Sequence, residues 1–273
     1  STPCVAGGKV YALGGERAYC IDAKTGEEIW RADVPAKGAP SSFLVADGLA
    51  VVLAGTLHAF DAEDGTLTWQ QESVSGDTGS PVLWERGDQK LVVCSDKKKG
   101  LFAVDLKSGD VAWEAAGGGQ STPVAGDNHL LVFSGTDGVG FRAYNRTEQG
   151  AVDSKWSHEW LSRRYCASPI IHDGHAYLIG GSRHMCVRLS DGEIAWEEKS
   201  NAAITSPILA DGKLLVVDNR GSKLLAIRAT PDKYELVSST KIGAMQCPTP
   251  SLSKGILFVR KKDHLAAFDL RQK

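Results

Sequence analysis

One phrase recurs seven times along this chain, and five of its copies close on tryptophan. The clearest run from Ala18 to Trp30 (AYCIDAKTGEEIW), Leu57 to Trp69 (LHAFDAEDGTLTW) and Leu101 to Trp113 (LFAVDLKSGDVAW). Met185 to Trp196 is a fourth, and Phe141 to Trp156 a looser fifth with extra residues in its turn. Two more, Leu224 to Val237 and Leu265 to Leu270, have lost the tryptophan. A repeat of about 40 residues made of strand patterns constrains the fold more than any other feature, because each unit cannot bury its apolar face alone and must stack on its neighbours. It predicts an all-β propeller of four-stranded antiparallel blades.

Each unit opens on Ser/Thr-Pro and a short apolar run ending in a glycine turn, as in SPVLWERGD, STPVAGDN, SPIIHDG and SPILADG. The second unit, from Ser41 to Gly48, lacks the proline at that point. β-Branched and aromatic runs of strand length follow, such as LVVCS, LLVFSG and LLVVD, bounded by turn residues. A polar turn leads to a third strand holding Ala-x-Asp, and a glycine turn to a fourth that ends at tryptophan. The glycine four residues before each tryptophan (Gly26, Gly65, Gly109, Gly192) suits a hairpin position needing positive φ. The tryptophan offers a large apolar face to the next blade. A small residue always stands two places before the Asp position: Ala59, Ala103, Ala143, Ala226, Ala267, and by the same spacing Cys20 and Cys186. These cysteines are read as small buried residues.

Seven units are expected as one domain over 1–273, and the last stops just after its third strand. An upstream stretch is expected to supply the missing outer strand, or a whole eighth blade if it is long. Net charge of −2 and a pI near 6.4 give no global case for nucleic acid. No apolar stretch reaches the roughly 20 residues a bilayer-spanning helix needs. The six cysteines include no CxxC and no adjacent pair, which excludes a zinc ribbon or a redox motif.

The pattern Ala-x-Asp-x-x-Thr-Gly-x-x-x-Trp, matched in full from Cys20 to Trp30 apart from the Ala slot, resembles the tryptophan-docking repeat of the quinoprotein-like (PQQ-binding-like repeat) β-propellers. That group includes PQQ-dependent alcohol dehydrogenases and BamB-type bacterial proteins. The resemblance covers essentially the whole chain, with Asn145 and Arg188 where Asp is expected. It implies a periplasmic or cell-surface location, and eight blades are usual for the group. The dehydrogenases carry a vicinal Cys-Cys disulfide over the cofactor, a catalytic Asp and a calcium site. This chain has no Cys-Cys pair and lacks the long insertions that wall in the cofactor. PQQ and calcium therefore find no supporting motif and no catalytic residue is assigned; whether the chain is an enzyme stays open, with the non-enzymatic reading preferred and a quinoprotein oxidoreductase kept as the last alternative.

Other chemistry is thin. His172 and His175 straddle an Asp-Gly turn, either as half of a metal site or as two turn-flanking residues, and the second reading is preferred. Asp61 to Gly65 starts like a calcium loop but lacks the distal Glu spacing of an EF-hand. No metal site is assigned.

Charge placement is more informative. The turns between second and third strands, and the loops entering each first strand, should share one face of the propeller. They carry Lys97, Lys98, Lys99, Arg183, His184, Asn219, Arg220, Lys223, Lys261 and Lys262. The longest inter-blade loop adds Trp160, Arg163, Arg164 and Tyr165, residue types enriched at binding hot spots. Gln120, Cys166 and Gln246, just before the Ser/Thr-Pro positions, would complete the rim. The opposite face collects Asp47, Asp64, Asp110, Asp173, Asp191 and Asp211. A basic face of this kind suits an acidic protein segment, an anionic ligand or a head group. The resulting expectation is a scaffold that binds a protein or peptide partner through its basic entrance face; a small-molecule or PQQ-type binder is the alternative.

Overall fold

A computed structural model describes residues 2–35, 41–76, 79–96, 100–119, 121–126, 128–134, 140–147, 152–159, 167–179, 183–200, 205–218, 221–245 and 249–271. Among the described residues the strands fall into seven antiparallel sheets, each a simple meander. The first sheet comprises Cys4–Ala6, Lys9–Gly14, Arg17–Asp22 and Glu28–Asp33, and the third, fourth, fifth and sixth repeat its order. These are the blades of a β-propeller.

The second sheet has three continuous strands, but Leu49–Asp61 does the work of two. Its first half pairs with Leu44–Ala46 and its second with Leu67–Gly76, with Gly55 at φ +80° between them. The Ala62 amide then reaches the Gly48 carbonyl at 2.8 Å, as the Ala23 amide reaches that of Gly8 at 2.9 Å in the first sheet. The strand therefore folds back on itself at Gly55, and the sheet is a four-stranded blade. The seventh (Ser251–Ser253, Ile256–Arg260, Leu265–Asp269) has three strands among the described residues.

The chain forms two compact units, 1–154 and 155–273, with the boundary inside the fourth sheet's outer strand, Val152–His158. Within the first unit, apolar layers lie between successive sheets. Tyr11, Cys20 and Trp30 of the first sheet meet Ala50, Val52 and Phe60 of the second. Trp69 meets Val92 and Val104 of the third, and Trp113 meets Leu130 and Tyr144 of the fourth. In the second unit Tyr177, Cys186 and Trp196 pack on Leu214 and Val216, and Leu215 and Ala226 on Leu257 and Val259.

The small-residue slot has a geometric cause. Cys20, Ala59, Ala103 and Cys186 each stand directly across from the tryptophan of the neighbouring strand, and the register shifts by a bulge immediately after. Cys20 and Cys186 are fully buried there. A second device was not read from the sequence. At four first strands the Ser/Thr hydroxyl just before the strand accepts the backbone amide of the corresponding residue one sheet earlier: Thr2 to Ser42 (3.1 Å), Ser42 to Ser80 and Ser80 to Thr122 (3.0 Å each) in the first unit, and Ser168 to Ser206 (3.0 Å) in the second. These amides begin the first strands where no sheet partner is at hand, so the hydroxyls satisfy donors that would otherwise be stranded. Ser42 does this without a following proline; the hydroxyl is the working group of the Ser/Thr-Pro signal.

Candidate protein-interaction surface

The motif residues are committed to holding one sheet on the next. Trp30 Nε1 donates to the Ala62 carbonyl at 3.2 Å, and Trp69 Nε1 to that of Leu106 at 3.0 Å. In the second unit Trp156 reaches Leu189 and Trp196 reaches Thr230, both at 2.8 Å. Each of the first three indoles also lies flat on the hairpin glycine of the sheet that receives it. A Cβ on Gly65 would stand 2.6 Å from the Trp30 ring, and one on Gly109 2.8 Å from Trp69. Glycine is therefore required there twice, for φ of +77° and for the ring's approach.

The motif aspartate holds the hairpin. Asp22 Oδ1 accepts the amides of Lys24 and Thr25, Asp61 Oδ1 those of Glu63 and Asp64, and Asp105 Oδ1 those of Lys107 and Ser108. These backbone donors hold the Asp22 carboxyl below its ordinary value. Where Arg188 replaces the aspartate, its guanidinium pairs with Asp191 and Glu193 at the same turn, and Arg228 does likewise with Glu235. Degenerate repeats thus exchange an Asx-type cap for an ion pair.

Ion pairs also reduce the charge asymmetry expected from turn counting. Among the acidic turns, Asp47 meets Lys90 at 2.6 Å, Asp211 meets Lys213 at 2.6 Å, and Asp191 meets Arg188 at 2.8 Å. The lysines and arginines at the strand ends neutralise much of what the Asp-Gly turns collect. His172 and His175 flank their turn as a strand-end pair; His172 Nε2 lies 3.4 Å from Asp173 and His175 Nδ1 bonds the Asp173 carbonyl at 2.8 Å. Among the described residues, no group of three or more His, Cys, Asp or Glu side chains is arranged to hold a metal ion. The four described cysteines, 4, 20, 94 and 186, are free thiols. With no adjacent cysteines in the sequence either, the residues present do not fit the PQQ and calcium arrangement of the quinoprotein dehydrogenases.

Of the residues expected on the entrance face, Arg183, His184, Lys223, Lys261 and Lys262 can be placed. Lys97, Lys98, Lys99, Gln120, Trp160, Arg163, Arg164, Tyr165, Arg220 and Gln246, with Asn219 and Cys166, lie outside the described residues. Arg183 is half-buried, with its guanidinium on Glu197 Oε1 at 2.9 Å and on the Glu159 carbonyl at 3.1 Å. Lys261 Nζ stands 5.6 Å above the Phe268 ring, beside a surface hollow of about 310 Å³ formed by Arg260 to Leu265. Lys223 and Lys262 are exposed.

His184 corrects the expected basic cluster. It is buried, stacked on Tyr234 with centroids 5.7 Å apart, and desolvation pushes its pKa down to about 4 despite the nearby Asp218 carboxylate. At neutral pH it adds no positive charge. The sequence placed it beside Arg183 in a turn, but the third strand begins at Arg183, and its next four residues, His184 to Val187, are all buried.

A family model described as outer membrane protein assembly factor BamB matches residues 1–196 and, in a second register, 53–273. The chain belongs to that family. The BamB of Escherichia coli (strain K12) is 27% identical over 180 residues, covering 62% of this chain and 44% of the relative. The Yersinia pestis BamB is 25% identical over 193 residues, covering 65% and 47%. The chain thus spans less than half the length of these curated relatives. Among solved structures, BamB from Moraxella catarrhalis superposes with a TM-score of 0.73 at 14% identity, over 95% of this chain and 80% of that one. A europium-containing methanol dehydrogenase gives 0.69 at 12%, over 94% and 72%. At such identities both likenesses concern the fold alone.

Proposed function

We propose that the protein is a non-enzymatic scaffold of outer membrane protein assembly, located in the periplasm or at the cell surface, that binds a protein or peptide partner through its basic entrance-face turns. Membership of the BamB family carries this reading. The site supports it by elimination of the motif: the repeated Trp, Asp and Gly residues are occupied in joining sheets, which leaves partner recognition to the turns and inter-blade loops. The binding residues proposed are Lys97, Lys98, Lys99, Gln120, Trp160, Arg163, Arg164, Tyr165, Arg183, Arg220, Gln246 and Lys261. Lysine clusters would steer an acidic partner, and Trp160, Arg163, Arg164 and Tyr165 would anchor it.

Site-specific photo-crosslinking tests this. A photo-reactive phenylalanine is placed in turn at Lys98, at Arg164, and, as the control, at Lys107 in the exposed Asp105–Gly109 turn. Discrete protein adducts at Lys98 and Arg164 but not at Lys107 are expected. Adducts only at Lys107, or none at any position, would contradict the reading.

A further inference from the structure

The junction between the fifth and sixth sheets holds a titratable side chain where the repeat otherwise places an apolar one. His184 stands four residues before the Asp position, and there the other repeats carry Ala18, Leu57, Leu101, Phe141, Leu224 and Leu265. Its ring is buried in the same way as the first four of these, with 4% of its surface exposed. It stacks on Tyr234 with centroids 5.7 Å apart and planes 17° apart. Tyr234 lies in the turn between the sixth sheet's strands Lys223–Arg228 and Leu236–Lys241, and it also meets Trp196 edge-on at 5.5 Å. Trp196 Nε1 donates to the Thr230 carbonyl of that same turn at 2.8 Å. Two side chains of the fifth sheet, an indole and an imidazole, therefore hold this hairpin of the sixth through one phenol ring.

We infer that His184, Tyr234 and Trp196 form an acid-sensitive latch between the fifth and sixth sheets, closed while the imidazole is neutral and opened locally when it takes up a proton. The charged groups around the ring decide how it responds. From its own sheet it faces Glu198, directly opposite on the strand Ile194–Lys199. From the sixth it faces Tyr234 and a cross-strand row of Asp218, Lys223 and Lys241, which alternation puts on the side of Val216 and Leu225. Two carboxylates and two ammonium groups give no net charge to hold an imidazolium in place, so desolvation decides its state. The pKa lowered to about 4 has that cause, with Asp218 opposing it. Once charged, the ring must reach water. His184 is the second residue of its strand, so freeing it opens only the Arg183 end while the apolar layer below stays packed. Arg183, held on Glu197 Oε1 and the Glu159 carbonyl, sits on that strand end. Control of partner binding through Arg183 rests on the function proposed above; the latch itself does not.

Amide hydrogen exchange read by mass spectrometry tests this on the protein alone, at about pH 7 and about pH 4.5, with labelling times scaled for the intrinsic pH dependence of exchange. Corrected exchange in segments 183–187 and 229–236 should quicken at least about tenfold at the lower pH, because the ring takes a proton near its ordinary pKa of about 6.5 when open and near about 4 when closed. Segment 101–106, which has Leu101 at the corresponding position, should not follow. H184L supplies the residue type of Leu57 and Leu101, and H184F keeps a ring against Tyr234; each should abolish the acceleration. The inference is overturned by exchange in the two segments that does not change with pH after correction, or by acceleration that persists in either variant. Acceleration spread equally over segment 101–106 would also overturn it, because the molecule would then be loosening as a whole.

Discussion

The junction between the second and third sheets and that between the third and fourth use the same repeat and solve the same problem differently. At the first, Trp69 lies on Gly109 and donates to Leu106, whose side chain is fully buried. At the second, Trp113 is just as buried, but its Nε1 finds no partner among the described residues. Asn145 stands in the Asp position there, and Arg146 follows where Leu106 would be. Its guanidinium enters the layer instead, donating to the carbonyls of Trp84 and Gln89 at 3.4 Å and to the Gln89 side chain, and sitting 5.8 Å over the Trp84 ring. Trp84 in turn meets Trp113 edge-on at 6.1 Å. The apolar burial of the tryptophan is common to both junctions while its hydrogen bond is not. Burial is therefore what the repeat maintains, and the carbonyl contact is an addition to it.

The comparison can be broken most forcefully at the tryptophans. Replacing Trp69 by alanine should cost about 3–5 kcal/mol in denaturant unfolding, the range for a buried aromatic. The same change at Trp113 should cost about 1 kcal/mol less, because no indole hydrogen bond is lost. Equal costs would mean that the two junctions do not differ in this way. Next in size is the residue that follows the Asp position. L106A should cost about 2–4 kcal/mol through the cavity it leaves. R146A should cost about 2 kcal/mol through lost stem packing and cation–π contact, with no cavity of comparable shape.

A third test sharpens the contrast with the second unit, where His184 is a buried titratable group among the described residues. Its folded pKa of about 4 lies below the ordinary value of about 6.5. As pH falls the unfolded chain therefore takes up the proton first. Stability from the neutral ring is complete at pH 7 and is lost between about pH 6.5 and pH 4, at up to roughly 1.4 kcal/mol per unit. H184F should flatten the melting profile in that window. The depressed carboxylates Asp22, Asp64 and Asp191 act lower, below about pH 4, where their stabilising contribution is lost on protonation. The smallest effect is expected at the hairpin caps: D105A should cost about 1 kcal/mol for its two amide bonds, and N145A less, because the Asn145 Oδ1 has no partner among the described residues.

Much of the blade was legible because the repeat aligns residues with the same physical duty. Gly65 and Gly109 were read as positive-φ positions and are; Cys20 and Cys186 were read as small buried residues and are. The Ser/Thr hydroxyl chain was missed because its partners are about 40 residues away and only the sheet-to-sheet packing brings them together. Arg146 was missed because a charged residue after a degenerate Asp reads as solvent-exposed unless Trp84 is known to lie opposite. Of the candidate surface, residue types and turn positions could be read, but Arg183's pairing and His184's burial follow from where the third strand begins and from its burial over four successive residues.

The most direct test of the account is charge reversal of Lys97, Lys98 and Lys99 to glutamate, with melting temperature and partner capture measured on the same preparation. The account predicts weakened capture at an unchanged melting temperature, since partner recognition is assigned to the turns and stability to the docked tryptophans. Unchanged capture, or capture lost only together with thermal stability, would contradict it.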